Sequence, residues 1–196
     1  MFLQIMQGKV RDAELLKQQM DIWRRDFKDG AVGFLGSTSG FTDDGQFIAF
    51  ARFESEAAAK ENSNLPQQNA WWEKFASAFD GEMSFTDCTE VDVFLAGGSD
   101  AARFVQIMRG RAVDPEAMRR DSAEMEKELA AARPDLIGGI VGWHGDREFT
   151  QAVYFTDEES ARQGEAETTD NEGADEWAAM IDGDVSFIDL HDPIYD

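Results

Sequence analysis

The segment Asn62-Ser63-Asn64-Leu65-Pro66-Gln67-Gln68-Asn69-Ala70-Trp71-Trp72 sets several primary amides beside two indoles. Amides hydrogen-bond the edge of a planar molecule and indole faces stack on it, so this stretch can hold a small aromatic ligand. The same residues also suit a polar loop leading into a helix that its tryptophans anchor to a core. Nearby, Phe50 and Arg52 alternate along an apolar run, where a guanidinium can hold an anionic or phenolate oxygen or pair with a carboxylate. Arg52, Asn62, Trp72 and Phe50 are therefore the candidate ligand-binding residues. No side chain stands out as a base, and the catalytic residues, if any, are unknown.

Other reactive side chains are sparse. His144 follows Trp143 at a turn and reads as a solvated loop histidine, while His191 stands near the end of the sequence. Neither has a second histidine at metal-ligand spacing. Cys88 has no basic neighbour and reads as a buried structural thiol. Gly97-Gly98 lacks the spacing and setting of a phosphate loop. No metal, flavin or haem is expected.

With 196 residues, 42% of them hydrophobic, including 15 Phe and 5 Trp, the chain can bury a core unaided. A net charge of −22 argues against nucleic acid or an anionic membrane as partner, because phosphates are held by clustered Lys and Arg. One cysteine rules out an internal disulfide. Met1 to Gly8 lacks the basic and long apolar regions of a signal peptide, and no apolar run approaches the ~20 residues of a membrane span. A cytoplasmic protein is expected, with a small aromatic ligand as its possible partner.

The elements that must position these residues occur twice. A shift of 102 lays Phe2-Leu3-Gln4-Ile5-Met6-Gln7-Gly8 over Phe104-Val105-Gln106-Ile107-Met108-Arg109-Gly110. The same shift lays Asp80-Gly81-Glu82-Met83-Ser84-Phe85 over Asp182-Gly183-Asp184-Val185-Ser186-Phe187, without a gap. Each copy reads strand, helix, two strands, split helix, strand. In copy one the first strand is Phe2 to Gly8. Asp12 caps a helix striped by Ala13, Leu16, Met20, Trp23 and Phe27. Strands near 33–41 and 46–53 flank the turn Asp43-Asp44-Gly45, and Pro66 interrupts the second helix, which resumes through Trp72 to Phe79. A closing strand runs from Met83 towards Val93. In copy two Asp114 and Pro115 open the matching helix.

The fold class expected is α+β: two fused ferredoxin-like β-α-β-β-α-β repeats, residues 1–96 and 103–196, joined by a flexible linker. Phe47 and Phe53 recur as Phe149 and Phe155, so that phase of the third strand belongs under the helices. Ile48, Phe50 and Arg52 take the opposite phase. Packing the two bare sheet faces together would form a pseudo-dimeric barrel, giving a monomer or a homodimer. Gln4 and Gln106 hold equivalent places, which favours a structural role. Copy two has Glu165 to Gly173 where copy one has its amides, so a site is expected in copy one alone.

The strand Phe2–Gly8, the split second helix, the closing strand and the passage Phe53-Glu54-Ser55-Glu56-Ala57 to Asn62 resemble the dimeric α/β-barrel superfamily. Within it the unit looks most like the antibiotic-biosynthesis-monooxygenase-like domains, here in tandem. The resemblance implies either binding of a small molecule without catalysis, or cofactor-independent oxidation of a quinol-like aromatic. It also implies a related haem-degrading group, which uses an Asn on the first strand, a Trp on the second helix and a His after it. Met6 stands near that Asn, Trp71 or Trp72 can supply the Trp, and no His follows before Gly81.

Overall fold

A computed structural model describes residues 1–168 and 172–196; Thr169-Asp170-Asn171, part of the acidic counterpart of the amide segment, lies outside the described residues. The chain divides into two compact units, Met1–Thr89 with Ile194–Asp196, and Glu90–Pro193.

In unit 1, strand β1 (Phe2–Lys9) is followed by helix α1 (Ala13–Asp26). Asp12 has extended backbone and its carboxylate accepts from the Leu15 N–H, which satisfies one of the free donors at the helix start. Leu16 and Met20 are the apolar residues this helix buries. Strands β2 (Phe34–Phe41) and β3 (Gln46–Phe53) form a hairpin, with Gly45 at φ +75° supplying the left-handed turn. Helix α2 (Glu56–Ser63) is capped by Ser55, and Pro66 opens α3 (Pro66–Ala76) at a position where its missing N–H costs nothing. Helix α3 stops at Ala76, three residues before the expected Phe79. Strand β4 (Ser84–Cys88) then pairs with β1.

Unit 2 repeats the plan: β6 (Phe104–Arg111), α4 (Pro115–Ala132), β7 (Leu136–His144), β8 (Glu148–Phe155), α5 (Glu158–Thr168), α6 (Glu172–Ala179) and β9 (Ser186–Leu190). Asp114 caps α4 through the Glu116 and Ala117 N–H groups. The repeat extends to single bonds. The Asp80 N–H donates to Lys9 O and the Asp182 N–H to Arg111 O, each at 2.8 Å. Gln4 Nε2 donates to Asp87 at 2.8 Å and Gln106 Nε2 to Asp189 at 3.1 Å, the structural role that repetition favoured.

Both sheets have five antiparallel strands, and in each the fifth comes from the other copy. Strand β5 (Glu90–Leu95) lies on β7 of unit 2, and β10 (Ile194–Tyr195) on β2 of unit 1, giving β10-β2-β3-β1-β4 and β5-β7-β8-β6-β9. The expected closing strand from Met83 to Val93 is thus two strands in two sheets. Leu3 pairs with Cys88, and β1 has only Phe2 beyond it, so the chain past Cys88 runs out of partner backbone. The free edge of β7 provides another, from Trp143 opposite Glu90 to Gly138 opposite Leu95. The sequence repeats and the compact units are therefore different partitions of the chain.

Candidate functional site

Strand β3 decides what each face of the unit 1 sheet can do. Side chains alternate, so Phe47, Ala49, Ala51 and Phe53 point towards the helices while Ile48, Phe50 and Arg52 point away. Phe47 and Ala49 pack with Leu16, Met20, Phe75 and Phe79, and Ala51 and Phe53 with Phe2 and Ala59. Two of the inward four are alanines, which leaves space between sheet and helices. That space is a cavity of about 390 Å³, within the roughly 300–1,000 Å³ typical of small-molecule sites.

Aromatic rings make much of its wall: Trp23, Phe34, Trp71, Trp72, Phe75 and Phe85. Trp71 is fixed, its indole N–H donating to Gln19 O at 2.8 Å. Trp72 stacks on Phe75 with centroids 5.3 Å apart and planes at 29°, and its ring lies 5.9 Å from Phe85. Asn62 and Gln68 are buried where α2 gives way to α3. Asn62 Oδ1 accepts from the Val32 N–H at 3.2 Å and from Gln68 Nε2 at 3.0 Å. The break at Pro66 turns the chain so that both amides meet. Among the described residues, Asn62 Nδ2 and Gln68 Oε1 have no protein partner, leaving one donor and one acceptor beside the cavity.

Asp196 also lines this space, and sequence reasoning missed it. Following β10, it exchanges backbone hydrogen bonds with Ser37, and its side chain is 7% exposed. Arg24 Nε donates to Oδ1 at 2.5 Å, while Oδ2 receives only a 3.4 Å contact from Ser37 Oγ. It is the single ionisable side chain among the described residues of the lining. The signal was in the repeat: a shift of 102 sets Phe94 in the place of Asp196 and Gly139 in the place of Ser37. Phe94 pairs with Gly139 in unit 2 and packs on Phe104, Val153 and Phe155. A ring thus fills in unit 2 the position that a carboxylate occupies in unit 1.

Of the four candidates, Asn62 and Trp72 line the cavity together. Phe50 and Arg52 do not. Both take the other phase of β3, where Phe50 is 1% exposed and Arg52 packs over Gly36. A Cβ on Gly36, which has φ +128°, would come within 2.5 Å of Arg52 Nη2. The buried Arg52 Nε has no partner among the described residues. Arg52 and Trp72 thus approach β3 from opposite faces of one sheet. His144, expected in a solvated loop, instead ends β7 half-buried, with Nε2 2.9 Å from Thr150 Oγ1. Burial lowers its pKa, and Glu148 opposes that shift. Cys88 is fully buried, and desolvation with help from Asp87 pushes its thiol up to about 12. Among the described residues no group of His, Cys, Asp or Glu could hold a metal ion, and no helix is long and apolar enough to cross a membrane.

Neither a protein-family model nor a curated protein matches the sequence. Solved structures do match its fold. The crystal structure of a candidate monooxygenase from Lactobacillus acidophilus is similar with a TM-score of 0.72 at 12% identity, covering 99% of this chain and 98% of that one. A candidate monooxygenase from Fusobacterium nucleatum gives 0.74 at 9%, covering 100% and 93%. An anthrone oxidase-like protein gives 0.66 at 8%, covering 100% and 92%. The chain has the fused ferredoxin-like α+β fold of these monooxygenase-related proteins.

Proposed function

We propose that unit 1 binds a small planar aromatic molecule between its sheet and α2–α3, with no catalytic step required. The observation that carries this reading is the cavity wall, where a Trp72–Phe75 stack stands beside one spare amide donor and one spare acceptor. Ring faces supply stacking area and the amides orient a polar edge. Asn62 and Trp72 are the binding residues in this reading; Arg52 and Phe50 keep a structural role on the other face.

Calorimetric titration with indole-type compounds tests it. Binding is expected in the wild type and about 10-fold weaker in Trp72→Ala, the loss of one aromatic contact. Affinity unchanged in Trp72→Ala would reject this cavity as the site. The alternative, cofactor-independent oxidation of a quinol-like aromatic, draws on the names of the similar structures. Dioxygen uptake on adding an aromatic quinol, abolished by Trp72→Ala, would favour it over binding alone.

A further inference from the structure

We infer that the ligand of this cavity carries a cationic amine on its aromatic ring system, and that Asp196 is its counter-charge. The inference rests on the binding reading above and narrows its ligand class.

Its ground is the charge inside the cavity. No Lys, Arg or His is among the described lining residues, so a carboxylate or phenolate ligand would enter with no cation to meet it. The lining instead brings one acid, with its side chain more than nine-tenths buried. Arg24 does not fully compensate that acid. Its guanidinium engages one oxygen, Nε with Oδ1 at 2.5 Å, while Nη1 turns to the exposed Asp21 at 3.1 Å, leaving Oδ2 with only the Ser37 hydroxyl at 3.4 Å. A buried carboxylate with a spare oxygen favours a donor that is itself charged.

The walls agree with the charge. Aromatic faces carry negative quadrupole density and attract ammonium groups within about 6 Å of the ring centre. Trp23 and Phe34 pack edge to face at 4.9 Å and line the cavity together with Ser37 and Asp196. Rings around a single carboxylate make a site for an organic cation. Unit 2 shows what the same position looks like without that demand, since Phe94 seals it. A protein needing only apolar contact would have no use for Asp196 there, because burying an acid costs free energy that a phenylalanine avoids.

The test compares three probes of one ring system by isothermal titration calorimetry at pH 7 and low salt: tryptamine, tryptophol and indole-3-acetate. The amine is expected to bind about 10-fold or more tightly than the alcohol, and the acid weakest. Asp196→Asn keeps the shape of the side chain next to β10 and is expected to bring tryptamine to about the affinity of tryptophol, while the melting temperature of the variant reports an intact fold. Equal binding of amine and alcohol to the wild type would overturn the inference while leaving the binding reading standing. A preference for the amine that survives in Asp196→Asn would overturn the role of Asp196. If none of the three binds, this inference and the binding reading both fall.

Discussion

Replacing Asn62 by alanine tests how the corner between α2 and α3 is held. Asn62 Oδ1 is the acceptor for two donors, the Val32 N–H and Gln68 Nε2, and Asn62 and Gln68 are each 7% exposed. Leaving a buried donor without a partner costs about 1–3 kcal/mol. The Gln68 amide can turn to water in the cavity, so most of the cost falls on the Val32 N–H, which is fixed by its backbone. Alanine is the better helix former by about 0.5 kcal/mol, which offsets part of the loss. The expected net destabilisation is about 0.5–2.5 kcal/mol. With a urea dependence of about 1–3 kcal/mol per molar, the midpoint falls by roughly 1 M. Gln68→Ala removes a single donor and leaves the Val32 bond, so it should cost less. Amide exchange followed by NMR reads the local event: protection of Val32 should fall about 10-fold in Asn62→Ala and hold in Gln68→Ala. Val32 protection unchanged in Asn62→Ala, or a larger loss in Gln68→Ala, would refute this account of the corner.

Cys88 should resist alkylation at pH 8 in the folded protein and react on unfolding, as followed by mass spectrometry. Its folded pKa of about 12 lies above the ordinary 9.0, so at pH 8 the folded thiol stays neutral while about a tenth of the unfolded chain carries the reactive thiolate. Between pH 9 and 12 the unfolded chain releases the proton first, and stability should fall with rising pH across that window unless Cys88 is replaced by alanine. Gly164→Ala should lower the melting temperature, the equivalent of about 1–3 kcal/mol, although alanine is the better helix former. The added Cβ would stand 2.2 Å from Arg133 Nε, and Arg133 is held by two bonds to Asp135. The double change Ser37→Gly with Asp196→Phe should copy unit 2, fill the cavity and abolish probe binding in calorimetry. The glycine is needed, because a Cβ on Gly139 would come within 2.2 Å of the Phe94 ring.

The repeat was legible because strand and helix periods survive divergence. Phe47 and Phe53 marked the covered phase of β3, Pro66 marked the helix break, and Asp12 and Asp114 marked the helix starts. Local pattern could not say which backbone a strand would pair with. The stretch from Met83 to Val93 reads as one strand, and its division at Thr89 follows from where β1 ends. Ile194-Tyr195 is too short to announce itself as an edge strand, so Asp196 went unnoticed as part of a wall. The candidate site was half legible for a related reason. Asn62 and Trp72 come from one continuous segment, whereas placing Arg52 with them required knowing that both approach the same face of β3.

The borrowed edge strands impose an order on biosynthesis. Ser39 of β2 waits for Ile194, 155 positions later in the chain. At about 5–20 residues per second of translation, roughly 8–30 s separate the appearance of the two partners. During that interval β2 presents an open edge, the kind of surface on which nascent chains stick to one another. Slow folding is expected too, because contacts this distant return nothing until a long loop has closed. The acid of the cavity arrives with the strand that shuts the sheet. A nascent unit 1 therefore lacks Asp196, the counter-charge inferred for its ligand, until synthesis has passed through the whole second copy.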